Sequence, residues 1–132
     1  MHLLAHLLLS ASLLAATPIA TAAEPAEATP SKATTATYVV LYRPGPAWPP
    51  GKTIAELPLK EHFSYLLELY ARGAMKQAGP LTDNAGGLVV LEVADAAQAQ
   101  ALAAADPAVK AGLFIHEVHP WRMVPWAQYL KK

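Results

Sequence analysis

An unbroken run of β-branched and aromatic residues at positions 37–43 is the first structured feature of the chain. Because the run lacks polar alternation, it predicts a strand that is covered on both faces. Pro44-Gly45-Pro46 ends this strand and opens a long first loop that contains Trp48. We expect the Trp48 indole to fold back on the core rather than to cover a pocket.

From Leu59 onward the spacing of apolar residues changes to that of a helix. Apolar positions recur every three or four residues and form one stripe, which consists of Leu59, Phe63, Leu66, Leu67, Tyr70 and Ala74. Gly73 stands where a helix stop is expected. The pattern predicts an amphipathic helix that ends near Gly73.

The remaining pattern predicts a hairpin, a second helix and a last strand. Asp95 followed by Gln98 has the spacing of a helix cap, and Asp106-Pro107 restarts the chain after that helix. The hairpin follows from two strand-like runs joined by turn-forming residues. In chain order these segments are residues 75–80, 82–87, 88–93, 95–105 and 113–124.

The order strand, helix, strand, strand, helix, strand predicts an α+β protein, a ferredoxin-like βαββαβ sandwich. In this fold two helices cover one face of a four-stranded antiparallel sheet. Apolar side chains nevertheless point to both faces, since Val39 and Leu41 alternate with Val40. We therefore expect a homodimer that buries the open face. In the alternative, a monomer folds its tail, with Trp126 and Tyr129, over that face.

Residues 1–23 have the features of a signal peptide. A short apolar segment is followed by Pro18 and by the small residues of a cleavage site, Ala20-Thr21-Ala22. We expect cleavage after Ala22 or Ala23 and a periplasmic or secreted protein without a stable membrane anchor. An uncleaved anchor is the alternative, but the apolar segment is shorter than the roughly 20 residues that cross a bilayer.

The exported part divides by composition into three segments. Residues 24–36 are rich in Ala, Pro and Thr and have few large apolar side chains. Because burial of so few apolar groups cannot offset the entropy lost when a chain is ordered, we expect this segment to form a flexible linker. Residues 37–124 form one α+β domain, and residues 125–132 form a C-terminal tail.

Composition excludes several classes of protein. Without cysteine the chain has neither a disulfide framework nor a lipid attachment site of the lipoprotein type. A formal net charge of zero leaves no basic stripe for phosphates, so nucleic acid is not an expected partner. No phosphate-binding loop or dinucleotide fingerprint follows a strand, so we expect no cofactor. His116 and His119 point to opposite faces of a strand and do not predict a metal site.

The candidate chemistry lies in His62, in Ala78-Gly79-Pro80 and in Asp106-Pro107. An imidazole and a carboxylate brought together over a small sheet form an acid/base pair without a metal or thiol. Gly79 and Pro80 are candidate substrate-binding residues because glycine allows a ligand to approach the backbone closely. Each residue also has a structural interpretation: Asp106 can cap a helix that begins with Pro107, and Pro80 can end a strand.

Aromatic residues complete the list of candidate ligand contacts. Tyr38 and Trp121 are expected to bind substrate, and Tyr42 and Met123 are further candidates for an aromatic pocket. The core or the dimer interface would use these side chains equally well.

These landmarks resemble those of the YciI-like (YCII-related) family. The residues that carry the resemblance are His62, Gly73, Ala78-Gly79-Pro80, Asp106-Pro107, Gly112 and Pro120-Trp121. The resemblance runs from about Tyr38 to Val124. It implies a dimeric α/β barrel and a His/Asp pair with an acid/base role, on a scaffold that supports dehydrochlorination of a chlorinated hydroquinone in a related enzyme.

Two functions fit the sequence. The first is an exported lyase or isomerase without a cofactor, in which His62 is the general base and Asp106 orients it on a small cyclic or phenolic substrate. The second is a noncatalytic dimeric module that binds a small molecule or serves an accessory role in the periplasm, and in which both residues are structural.

Overall fold

The computed structural model describes residues 34–130. The predicted signal peptide and most of the predicted linker lie outside the described residues. The strands are β1 (Ala36–Pro44), β2 (Met75–Pro80), β3 (Gly87–Val93) and β4 (Phe114–Pro120), and the helices are α1 (Lys60–Ala71), α2 (Ala96–Ala104) and the short α3 (Pro107–Lys110). Single 3-10 turns occur at Ile54–Glu56 and Trp126–Tyr129.

The four strands form one antiparallel sheet in the order β2-β3-β1-β4. β1 lies at the centre, where Val40 pairs with Val89 of β3 and with Val118 of β4. This order and the βαββαβ succession of elements confirm the predicted ferredoxin-like α+β fold.

The core lies between the sheet and the helices. Val40 and Leu91 are each 1% exposed, and Ala99 of α2 is fully buried. Small alanines let α2 approach the sheet closely, and its start is capped as predicted: Asp95 accepts from the Gln98 amide at 2.8 Å. On the other face of the sheet, Val39 and Leu41 are half-buried and Ile115 is 49% exposed.

The stripe predicted for α1 packs on the core only in part, through the partly buried Leu59, Leu66 and Ala74. Leu69, which is not part of the predicted stripe, is the buried leucine of this helix, at 2% exposure. Phe63, Leu67 and Tyr70 are each more than half exposed. Apolar residues occupy more than one face of α1, so spacing alone does not decide which face packs on the sheet.

The last strand is shorter than predicted and ends at Pro120 instead of residue 124. Tyr38 pairs with Pro120, and the Trp121 amide donates to the Thr37 carbonyl at 2.9 Å. Beyond Trp121 the start of β1 leaves little partner strand for β4. In the tail that follows, Trp126 is 73% exposed and Tyr129 is 69% exposed, so neither side chain is buried over the open sheet face.

The fold gives no sign of a transmembrane element in the part of the chain that the structure describes. No helix there is both long enough and apolar enough to cross a membrane.

Candidate active site

His62 lies in the first turn of α1 and points toward the sheet. Its side chain is only 15% exposed. The imidazole meets Tyr42 of β1 edge-on, with ring centroids 5.7 Å apart, and Phe114 of β4 at 5.3 Å. Two aromatic rings, from the neighbouring strands β1 and β4, thus pack against the imidazole.

Asp106 is the partner of His62 and is completely buried. His62 Nδ1 lies 2.7 Å from Asp106 Oδ2 and 2.9 Å from Oδ1. A carboxylate only accepts hydrogen bonds, so Nδ1 carries the proton and Nε2 of a neutral imidazole keeps its lone pair. The two residues are 44 positions apart along the chain, and the fold brings them into direct contact.

The position of Asp106 is set by α3. Asp106 is the N-cap of this helix, and its Oδ1 accepts from the Ala108 amide at 2.9 Å. Pro107 occupies the first turn, where its missing N–H costs nothing. The structural and the chemical interpretation of Asp106 are therefore both geometrically satisfied, because one carboxylate caps α3 and holds His62.

Two tyrosines respond to the buried charge of Asp106. Burial raises the pKa of Tyr42 well above its ordinary value of 10.0, and the charge of Asp106 acts in the same direction. Burial also raises the pKa of Tyr65, with a further contribution from Asp106. Both phenols are therefore neutral near physiological pH.

A cavity of about 420 Å³ opens beside His62. Its volume falls within the range of about 300–1,000 Å³ that is common for ligand pockets. The wall combines aromatic and aliphatic side chains of α1, β2 and β3 with two loop residues, Ile54 and Ala55. His62 and the phenols of Tyr42 and Tyr70 supply the polar side-chain groups of this lining.

The first loop is held against the cavity by specific contacts. The Ile54 amide donates to Asn84 Oδ1 at 3.1 Å, and Trp48 Nε1 donates to the Lys52 carbonyl at 2.9 Å. The Trp48 ring packs on Phe114 at 5.8 Å, so the indole folds back on the core. Loop, strand and helix thus meet around His62.

The predicted substrate-binding residues divide into two groups. Gly79 and Pro80 line the cavity, and a Cβ placed on Gly79 would meet no atom within 4 Å. Tyr38 and Trp121 do not line this cavity, and their contact with substrate stays a prediction. Tyr38 is four residues along β1 from Tyr42, roughly 13 Å at the usual rise of a strand, and is buried in the core. Trp121 follows the far end of β4 and is 45% exposed.

The sequence indicates Tyr42 only as a further candidate for an aromatic pocket and does not indicate Phe114. Both contact the His62 ring. The available signal is alternation along β1, which puts Tyr42 on the same face as Tyr38 and Val40 but does not show which end of the strand carries the site.

His116, Glu117 and His119 follow the expected alternation on β4. His119 pairs with Val39 and Glu117 with Leu41, so both lie on the open face, where their side chains approach to 3.4 Å. His116 pairs with Tyr42 and lies on the helix side. Within residues 34–130, no group of three or more His, Cys, Asp or Glu side chains is placed to hold a metal ion.

Comparison with protein families decides the relationship of the chain. Residues 36–122 match the YCII-related domain. The chain belongs to the YCII-related family. The match covers all four strands of this YCII-related domain, including His62 and Asp106. Comparison with curated proteins gives no match.

A solved structure shares the fold of this YCII-related domain. It is the 5-chloro-2-hydroxyhydroquinone dehydrochlorinase of Burkholderia phenoliruptrix AC1100, in complex with 2,5-dihydroxybenzoquinone. The two chains are 24% identical with a TM-score of 0.52, and the alignment covers 67% of this chain and 95% of the dehydrochlorinase. At this level of identity the likeness establishes the fold.

Proposed function

We propose that this YCII-related protein is an exported lyase or isomerase without a cofactor, which moves a proton on a small cyclic or phenolic molecule. His62 acts as the general base through Nε2, and Asp106 holds the imidazole in the required tautomer and stabilises its cationic form. The contact of 2.7 Å between His62 Nδ1 and Asp106 Oδ2 beside the cavity carries this proposal.

The reactions open to this pair are those in which His62 takes a proton from the substrate and returns it. On a polyhydroxylated ring, His62 Nε2 takes a hydroxyl proton, and the imidazolium returns that proton to a ring carbon, which gives a keto tautomer. If this carbon carries a halogen, loss of a second hydroxyl proton and of the halide gives a quinone, with no net oxidation or reduction. The name of the structurally similar dehydrochlorinase supports a hydroxylated aromatic ring as the substrate class.

Hydrogen exchange on the ring tests this proposal with a substrate that carries no leaving group. The purified exported protein is incubated anaerobically with 1,2,4-trihydroxybenzene in deuterated water, and proton NMR follows the loss of ring hydrogen signals. We expect the protein to accelerate exchange at one ring position. Exchange at the buffer rate, together with chloride release from 5-chloro-2-hydroxyhydroquinone at the buffer rate, would contradict the proposal for this substrate class.

The noncatalytic alternative is favoured by one observation. Asp106 caps α3 through the Ala108 amide, a role that needs no chemistry. A binding module would show saturable binding of 1,2,4-trihydroxybenzene, as a rise in melting temperature with ligand concentration, and no ring exchange. The two readouts together separate binding with turnover from binding alone.

The proposal includes export and pairing of two copies. Export rests on the signal-like sequence of residues 1–23. Pairing rests on the open sheet face, where Val39, Leu41 and Ile115 bring apolar side chains to a surface that the helices leave uncovered.

Leu41→Glu is expected to convert a dimer into a monomer. The side chain is half-buried at the centre of the open face, so a carboxylate there can remain hydrated in a monomer but is desolvated in a dimer. Light scattering at micromolar concentration measures the mass. Leu67→Glu, on the exposed side of α1, is the matched control and should remain dimeric. A wild-type monomer in this experiment would contradict the pairing.

A further inference from the structure

The cavity beside His62 is longer than the proposed chemistry requires. Five residues of α1 line it, from His62 in the first turn to Tyr70 in the last. These two residues are separated by roughly 12 Å along the helix axis, at a rise of about 1.5 Å per residue. Phe63, Leu66 and Leu67 lie between them and line the same cavity. The cavity therefore extends along almost the whole of α1.

The volume of the cavity also exceeds what one aromatic ring needs. An apolar cavity of roughly 150 Å³ is enough to hold benzene. The cavity beside His62 has a volume of about 420 Å³. The strands fill little of this space, because β2 and β3 present the small residues Ala78 and Gly87 to it. A hydroxylated ring held at His62 therefore leaves room for a second group of similar size.

The wall around this second space is apolar and uncharged. Among the described residues, the lining contains no Lys, Arg, Asp or Glu. Phe63, Leu67 and Tyr70 are 68%, 56% and 59% exposed, so their apolar surface is available for contact with a ligand. A carboxylate or phosphate on the ligand would lose hydration here without a cation to pair with it. An apolar group would instead gain free energy from burial.

We propose that the substrate is a hydroxylated ring that carries a neutral, apolar substituent about as large as a second ring. This inference rests on the proposed function and names its substrate class more closely. The ring lies at the His62 end of the cavity, where Nε2 takes the hydroxyl proton. The substituent extends along α1 toward Tyr70, over the hairpin of β2 and β3.

A series of ligands with growing substituents measures this selectivity. The purified exported protein is titrated anaerobically with 1,2,4-trihydroxybenzene and with its 5-methyl, 5-propyl and 5-pentyl derivatives, and calorimetry gives each Kd. We expect Kd to fall by about three- to fourfold for each added methylene, the effect of burying one such group. The 5-(2-carboxyethyl) derivative is the matched ligand for 5-propyl and should bind no more tightly than the unsubstituted ring.

Ala78→Leu tests whether the substituent occupies the proposed space. Ala78 pairs with the buried Val89, so its side chain lies on the helix side of the sheet, where it lines the cavity. A leucine there takes up part of the space. The 5-pentyl compound should lose about tenfold of its advantage in Kd over the unsubstituted ring, the equivalent of roughly two methylenes.

Gln77→Leu is the matched control for this variant. It adds the same side chain to the same strand at a residue that does not line the cavity, and it should keep the wild-type advantage of the 5-pentyl compound. The advantage is a ratio taken within each variant, so a general loss of folded protein does not change it.

Three results would overturn the inference. A Kd that stays constant along the series would show that the apolar wall serves a contact other than a substituent. An advantage that survives Ala78→Leu, or that is lost equally in Gln77→Leu, would show that the substituent binds elsewhere on the protein. Tighter binding of the 5-(2-carboxyethyl) derivative than of the 5-propyl derivative would show that the site prefers a charged group.

The titration measures binding alone, so this inference and the proposed function fail separately. If Kd falls along the series and no ligand exchanges its ring hydrogens, the proposed reaction is lost, and the ligand class remains as that of a binding module. If 1,2,4-trihydroxybenzene exchanges its ring hydrogens and the series is flat, the reaction stands and the apolar substituent is lost.

Discussion

His62→Gln is expected to reduce ring exchange by a factor of about 10²–10⁴, the usual contribution of a positioned general base. Glutamine has nearly the reach of histidine, and its amide can still donate to the buried Asp106 carboxylate. The charge therefore keeps a partner, while the basic lone pair at Nε2 is lost. The rate of deuterium incorporation into 1,2,4-trihydroxybenzene measures the effect, and the melting temperature shows whether the fold is retained.

The matched control is His119→Gln. His119 is exposed on the opposite face of the sheet, at the end of β4, and should leave the exchange rate unchanged. If both variants lower the rate equally, the position of the histidine does not matter. The imidazole groups of the protein would then act as a dissolved buffer base does. If His62→Gln retains the wild-type rate, the base is another group and His62 is a structural residue.

The fold could be predicted largely because local signals agree with its topology. Met75–Pro80 lies between the helix stop at Gly73 and the turn-forming residues 82–87, ends at a proline, and is observed with the predicted bounds. Asp95 caps α2, and Gly73 ends the turn after α1 at a φ of +78°. Caps, stops and turn residues are local chemistry, so the sequence shows them directly.

The packing of α1 could not be predicted in the same way. Phe63 and Leu67 fit an apolar stripe by spacing, but the sheet accepts Leu69 and leaves both other side chains exposed near the cavity. The reason is that β2 and β3 present the small residues Ala78, Gly79 and Gly87 to the cavity. These residues leave a space under the helix, and a hydrophobic pattern does not distinguish a filled space from an open one.

The site was predicted in part, for a different reason. The order of elements and the resemblance to the family together pointed to His62 and Asp106, while spacing alone cannot join residues that are 44 positions apart. Tyr42 was a weak candidate because its role depends on which end of β1 meets α3. Tyr38 is also a tyrosine on the same face of β1. The register of the sheet places it near the start of this strand, opposite Pro120, whereas Tyr42 lies near its end.

Asp106→Ala is expected to lower the free energy of unfolding by about 2–4 kcal/mol, from loss of the α3 cap and from two buried donors left without a partner. Those donors are His62 Nδ1 and the Ala108 amide, around a side chain with no exposure. Each kcal/mol lowers the melting temperature of a domain of this size by roughly 4–8 °C. Denaturant unfolding at neutral pH measures the loss.

Asp106→Asn separates the two roles of the carboxylate. Asparagine is an equally good helix cap, and its Oδ1 can accept from both donors, so its cost in stability should be about 1 kcal/mol or less. Removing a buried charge can even offset that cost. The charge that stabilises the imidazolium is nevertheless lost, so ring exchange should fall by at least about tenfold. A stable but slow Asp106→Asn protein would show that the charge serves chemistry, whereas a stable variant with the wild-type rate would reduce Asp106 to a helix cap.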